Sequence, residues 1–425
     1  DYDAALVGTY DVLQWLFFNI QLGAIASEIT LCGGESATDY IGIQQIDDMT
    51  HYPENNVLRQ IWQFLYEGVN RANYMEENKA NIDFEGKEAM YGEVYFLRAY
   101  YYFELVKFFG DVPLFTEARL TAGQAGTLTR TPKDEVYAQI ELDLQNAIAS
   151  LPNSQSQVGR VNKYTAYALL GKVLLYQDKF AEAASALDNV IGVYSLVSDY
   201  GSQFLRFGEN GPESVFEIQY SNQSNWYDWG CAHCSEGNYA IIMNGPRGWS
   251  GPEYAQGWSF NVPTEEFYNS FEEGDSRRDA TVLDIEAFAA ATGASYTEGY
   301  DHTGYFNNKY IPRAGESGGQ TELNYLTNFR IIRYSDVLLM AAEAYNRGGI
   351  DDGLAQEFLN QVRRRAFGGD DNDISASGSA LTDAIWEERK FELSLEGHRF
   401  FDLVRTGRAS SLIAGFVEGK HEVFP

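Results

Sequence analysis

Apolar side chains recur at helical spacing through most of residues 3–193 and again through residues 334–407, and lose that spacing in between. The first stretch predicts an amphipathic helix from Asp3 to Ile29, a polar, glycine-bearing loop from Cys32 to Asn56, and a second helix from Val57 to about Lys79. The most apolar run spans Glu88 to Phe115. It carries one stripe of Leu97, Tyr101, Leu105 and Phe108 and another of Tyr95, Ala99, Tyr102, Val106 and Phe109. Two stripes imply a helix covered from two sides. Gly110 is placed to end it in a left-handed conformation, and Asp111-Val112-Pro113 to turn the chain away, since proline cannot continue the hydrogen-bond ladder.

Thr131-Pro132-Lys133-Asp134 reads as the start of another helix, which runs to about Leu151 and stops before Pro152. Lys163–Gln177 and Phe180–Val193 then form a close helical pair, with alanines and Gly171 where two helices would touch. A related pair returns at Tyr334–Asn346 and Asp351–Ala366. In Ala380–Gly407, Glu388, Glu392 and Glu396 recur every fourth residue among Phe391, Leu395, Phe400 and Phe401, which predicts partly buried ion pairs with Arg389, Arg399 and Arg405.

Residues 195–328 have a different character. Gly, Asn, Ser and aromatic residues dominate; the helical period survives only at Thr264–Phe271 and Leu283–Ala291, and Val215–Tyr220 reads as a strand. The fold class is therefore mainly α: tetratricopeptide-like hairpins over residues 1–194 and 329–425, with an irregular, loop-rich insertion over 195–328 carrying a little β, all within one unit spanning 1–425.

With 31 basic and 61 acidic residues, the net charge of −30 argues against nucleic acid and anionic membrane faces as partners. Neutral, polyhydroxylated ligands remain compatible with it. There is no phosphate loop, no dinucleotide fingerprint and no nucleophile elbow, so no cofactor and no catalytic residue is assigned. Among so many carboxylates, pairs spaced for glycoside hydrolysis arise by chance and select nothing. Cys231-Ala232-His233-Cys234 is compatible with a short-range disulfide or with two free thiols, and lacks the further ligands of a structural zinc site. Asp370-Asp371-Asn372-Asp373 lacks the glycine and terminal glutamate of the twelve-residue calcium loop. No metal is assigned.

Taken together these stretches resemble the SusD/RagB family of outer-membrane glycan-binding lipoproteins. The resemblance rests on Arg98-Ala99-Tyr100-Tyr101-Tyr102-Phe103-Glu104-Leu105 with Phe109-Gly110-Asp111-Val112-Pro113-Leu114, on Arg130-Thr131-Pro132 and on Gly159-Arg160-Val161-Asn162-Lys163-Tyr164. It continues in Ile332-Arg333-Tyr334-Ser335-Asp336 through Glu343-Ala344 and in Glu396-Gly397-His398-Arg399-Phe400-Phe401-Asp402. It implies four tetratricopeptide-like hairpins cradling the ligand region, a lipid anchor on the outer face of a Gram-negative outer membrane, and a SusC-like, TonB-dependent transporter over which the protein sits. The family's acylated N-terminal cysteine is not present in this chain, which starts at Asp1 and stops at Pro425, where members usually continue.

Sugar rings offer an apolar C–H face and a rim of hydroxyls, so flat aromatic surfaces beside amides, carboxylates and arginine are their complement. The candidate ligand-binding residues are Asn225, Trp226, Tyr227, Asp228 and Trp229, followed by Arg247, Trp249 and Tyr254, with Asn244 and Trp258 nearby. The family places a second contribution in the loop before the second helix, here Tyr40, His51 and Tyr52. Buried aromatics outnumber ligand-facing ones, so packing competes with binding at each of these rings. The expected function is non-catalytic binding of oligo- or polysaccharide and its delivery to the transporter. A helical glycoside hydrolase and a scaffold for a peptide or protein ligand are the alternatives.

Overall fold

The computed structural model describes residues 2–223, 231–317 and 323–425. The predicted first helix is two: α1 (Tyr2–Asp11) and α2 (Phe17–Ile25), separated by a turn of 3-10 helix at Val12–Trp15. The predicted loop after it contains a short helix of its own, α3 (Ile41–Asp47). Helix α4 (Asn56–Asn78) begins where Asn55 accepts hydrogen bonds from the amides of Val57 and Leu58. Helices α5 (Lys87–Phe109), α6 (Lys133–Ser150), α7 (Lys163–Leu175) and α8 (Phe180–Asp188) follow, each packed on its predecessor. Past the irregular region, α9 (Tyr334–Arg347) packs on α8, α10 (Asp352–Phe367) and α11 (Gly378–Leu393), and α12 (Arg399–Arg405) folds back onto α2. The fold is mainly α, as the apolar spacing predicts. Among the described residues no helix is long and apolar enough to cross a membrane.

Helix α5 is the hub. From Tyr91 to Phe109 every residue except Lys107 is buried, so its cover is complete rather than confined to two stripes. That burial includes polar groups, several of them held by partners on other segments. Arg98 clasps Asp143 of α6 through two hydrogen bonds of 2.8 and 2.7 Å, and the Tyr101 hydroxyl donates to the Thr9 carbonyl. Gly68 makes room for the Tyr101 ring, since a Cβ there would lie 2.6 Å from it. Gly110 does end the helix at positive φ (68°), but its ψ of −118° lies outside the left-handed helical well.

The three glutamates of α11 and its C-terminal turn are buried and paired, though mostly not with the arginines nearest in sequence. Glu392 accepts from Arg333 (2.9 Å), Arg365 (2.5 Å) and Arg277 (3.2 Å). Glu388 accepts from Arg277 and Arg363, and Glu396 from Lys309 and Arg333. The predicted partners go elsewhere: Arg389 to Asp336 and Asp402, Arg405 to Glu343 and Asp402, and Arg399 to Glu28. Burial alone would raise the Glu392 carboxyl; Arg365, Arg333 and Arg277 hold it well below the usual range. This spine of buried charge joins α9, α10 and α11 to Arg277 and Lys309 of the irregular region, so the insertion is bolted to the scaffold rather than hung from it.

Candidate functional site

The irregular region holds its shape through two-stranded antiparallel pairs between segments far apart in sequence. Strand β1 (Thr30–Gly33) pairs with Phe260–Pro263, Leu31 opposite Val262; Arg247–Ser250 pairs with Ser295–Thr297, and Val282–Asp284 with Tyr305–Asn307. Beyond β1 the Gly34 amide donates to the Ser259 carbonyl (2.7 Å), and the Gly34 carbonyl accepts from the Tyr300 amide (2.8 Å). Three loops, 34–40, 247–261 and 295–302, thus meet on one face. Of the nine non-glycine residues with positive φ among those described, five lie here: Tyr40, Glu253, Ser259, Asn261 and Asp301. Such conformations cost of order 1–3 kcal/mol each and persist only where the surroundings fix them, which marks this face as pre-organised.

Arg247 ties the loops together. Its Nε donates to the Trp258 carbonyl (2.9 Å), its backbone amide to the Ser259 hydroxyl (3.1 Å), and its guanidinium to Asp39 (2.8 Å), with Glu35 at 3.7 Å. Trp249 is half-buried, edge-on to Tyr254 at 5.9 Å and tilted against Phe288. Tyr254 is only 5% exposed: with Val262, Leu283, Ile285, Phe306 and Ile311 it fills a small apolar cluster. It supports Trp249 and offers no open ring face of its own. Trp258 is half-buried against Tyr239, and Asn244 is buried, donating to the Tyr310 carbonyl.

Tyr40 leads into α3 with φ 50°, its half-buried ring against Phe18 and Phe260, so it belongs to the same face. His51 does not. It is buried against His421 and Phe424, and burial pushes its pKa down to about 4, while Tyr52 beside it is 47% exposed in the turn into α4. Asn225, Trp226, Tyr227, Asp228 and Trp229 lie outside the described residues. The chain on either side of them is closed: the Ser221 amide donates to the Glu236 carbonyl at 2.8 Å, and Cys231 and Cys234 form a disulfide. Of the readings open for the two cysteines the structure has the disulfide, which leaves no thiolate pair for a metal. His233, between them, packs on Trp15 and Phe64. A cavity of about 530 Å³, lined in part by Gln14, Arg160, Gln219 and Glu236, opens beside this closure. The Asp370–Asp373 loop is anchored by arginines, Asp373 binding Arg364 and the Asn372 carbonyl accepting from Arg363.

Carboxylates dominate the charge of the loop face. Burial, with Asp48 and Asp301 close by, pushes the Asp47 carboxyl up to about 7 despite the hydrogen bond it accepts from the Cys32 amide. Burial and Asp48 likewise raise Asp301. Sequence reasoning finds Arg247, Trp249 and, through the loop before the second helix, Tyr40, but misses the loop at 295–302. Only the lack of any Lys or Arg from Asp279 to Asn308 hints at it.

Comparison with known proteins supports the same fold across the whole chain. The sequence pattern described as the SusD family matches residues 212–420, and one described as starch-binding associating with outer membrane matches residues 31–175. The SusD-like protein P2 of Formosa agariphila is 31% identical over 385 residues, covering 85% of this chain and 74% of its own. A solved laminarin-binding SusD-like protein superposes with a TM-score of 0.91 at 36% identity, over 100% of this chain and 95% of the other. Surface glycan-binding protein A from Bacteroides thetaiotaomicron, solved with laminarihexaose, gives 0.87 at 30% identity over 98% and 92%. The chain belongs to the SusD family.

Proposed function

We propose that this protein is a non-catalytic glycan binder that takes a laminarin-type polysaccharide on the loop face around Trp249, Arg247 and Tyr40, with Trp226, Tyr227 and Trp229 as further candidate contacts from the sequence. The reading is carried by one observation: a pre-organised, aromatic-bearing face on a chain that shares its fold, at 36% identity, with a laminarin binder. A half-buried indole stacks a pyranose ring through its apolar face, while Arg247, already fixed by Asp39, presents an oriented donor to the hydroxyl rim. An open face of this kind supports modest affinity, on the order of −4 to −8 kcal/mol, with repeated sites on a polymer adding avidity. Anchoring at the outer face of an outer membrane through an N-terminal lipid, and hand-over to a SusC-like TonB-dependent transporter, complete the proposal.

The test is retention in laminarin affinity gels. Trp249→Ala and Trp226→Ala each weaken retention at least about tenfold, the effect of losing one aromatic stacking contact worth about 1.4 kcal/mol. Undiminished retention in both variants rejects this face. Sustained release of new reducing ends from laminarin would replace the binder with a hydrolase.

A further inference from the structure

Three loops build the candidate face, and they are almost free of positive charge. No Lys or Arg occurs from Ile29 to Leu58 or from Asp279 to Asn308, and between Phe207 and Ser276 there is one, Arg247. Arg247 is spoken for by Asp39 and Glu35, and Arg313, which lies over the Tyr254 ring, by Glu253 at 3.2 Å. The carboxylates are not spoken for to the same degree. The Glu35 side chain is 76% exposed, Glu298 and Asp301 are exposed on the loop that hydrogen-bonds to Gly34, and Asp48 lies close to Asp301. A ligand lying across this face therefore meets a rim of like-signed charge and no uncompensated cation among the described residues.

Resting on the glycan reading above, we propose that the face is a charge filter: it admits neutral polysaccharide and rejects the same backbone bearing carboxylate or sulfate groups, with Glu35 and Asp301 as the residues that set the discrimination. The physics is specificity by repulsion. Contacts to C–H faces and hydroxyls are nearly the same for a neutral and an anionic chain, whereas an anionic substituent near the rim feels carboxylates well inside a Debye length. Arg247 cannot offset this, because its charge is already matched.

The experiment compares three forms of one polymer by titration calorimetry on the full chain: laminarin, hydroxyethyl-laminarin and carboxymethyl-laminarin at matched substitution. The hydroxyethyl form controls for bulk. At low salt the two neutral forms bind alike and the carboxymethyl form binds at least about tenfold more weakly; at about 0.5 M salt, where the Debye length is a few ångströms, that gap shrinks several-fold. The double variant Glu35→Gln, Asp301→Asn narrows the gap at low salt as well. Asparagine tolerates the positive φ of 52° at position 301, so the loop geometry is kept. Equal binding of the hydroxyethyl and carboxymethyl forms overturns the filter while leaving the glycan reading intact, as does a gap that neither salt nor the variant changes. Failure of laminarin itself to bind removes both.

Discussion

In the spine, Glu392 sits among Arg277, Arg333 and Arg365 with none of the four side chains more than 4% exposed; on the loop face, Glu35, Glu298 and Asp301 stand in water with few cations near. Both regions are rich in carboxylates, and they use them for opposite ends. A buried carboxylate can be kept ionised only by partners fixed in place, so the pairs of the spine together specify how α9, α10 and α11 meet. A solvated carboxylate costs the fold nothing and leaves its field free to act on whatever approaches. Charge written into the interior thus encodes architecture, and charge written on the loops encodes selectivity.

The sharpest way to break this contrast is to remove one carboxylate from each region. Glu392→Ala leaves three guanidinium groups without a central acceptor, and the expected loss is about 3–5 kcal/mol, the usual cost of breaking a buried pair. Glu35→Ala should not move the denaturation midpoint measurably. Urea unfolding of the two variants side by side checks both, and similar midpoints would mean the spine is not what holds the scaffold.

A smaller effect is expected from pH, with opposite sign in the two regions. Burial and the Lys172 ammonium lower the His398 pKa to about 3, so between its usual 6.5 and 3 the unfolded chain binds a proton that the folded chain refuses. Stability from this group is lost as pH falls through that window. Glu343, held at about 2 by Arg405 in spite of burial, adds a second loss below about 4.5. Asp47 runs the other way: raised to about 7, its contribution is full below about 4 and is lost as pH rises through 7. Going from pH 7 to 5 therefore weakens the spine and strengthens the loop face. Hydrogen exchange, corrected for intrinsic rates, should show protection falling in α9 and α11 and rising around β1 and α3. Asp47→Asn should abolish only the second change.

How much of this the sequence carries follows from how local each signal is. Helices α4 to α8 are legible because their apolar period and their punctuation, such as Asn55, Gly110 and Pro152, lie within a few residues of what they control. Helix α3 is not. Its seven residues include Gly42, and Tyr40 enters it from positive φ without a side-chain cap, so nothing separates it from loop. The glutamates of α11 announce that they are buried and paired, but their partners stand 25 to 115 residues away, in places only the fold can bring together. Tyr254 and Trp249 look alike in sequence, five residues apart, yet one fills a core and the other borders solvent. Which of two aromatic residues meets water is decided by strands paired across the chain, and no local period records that.

The smallest expected effect belongs to the Cys231–Cys234 disulfide, which stands between the two regions in kind. Like a spine pair it is a fixed cross-link, but it closes a loop of only four residues, for which chain entropy gives at most about 2 kcal/mol. His233, packed on Trp15 and Phe64, already holds the same turn against the scaffold, so the bond and the packing share the task. The double variant Cys231→Ser, Cys234→Ser should then lower the melting temperature by no more than a few degrees while weakening laminarin retention through the adjoining Trp226–Trp229 stretch. A large fall in stability with retention unchanged would show the opposite: that this bond belongs with the interior charges and serves the scaffold, not the loops.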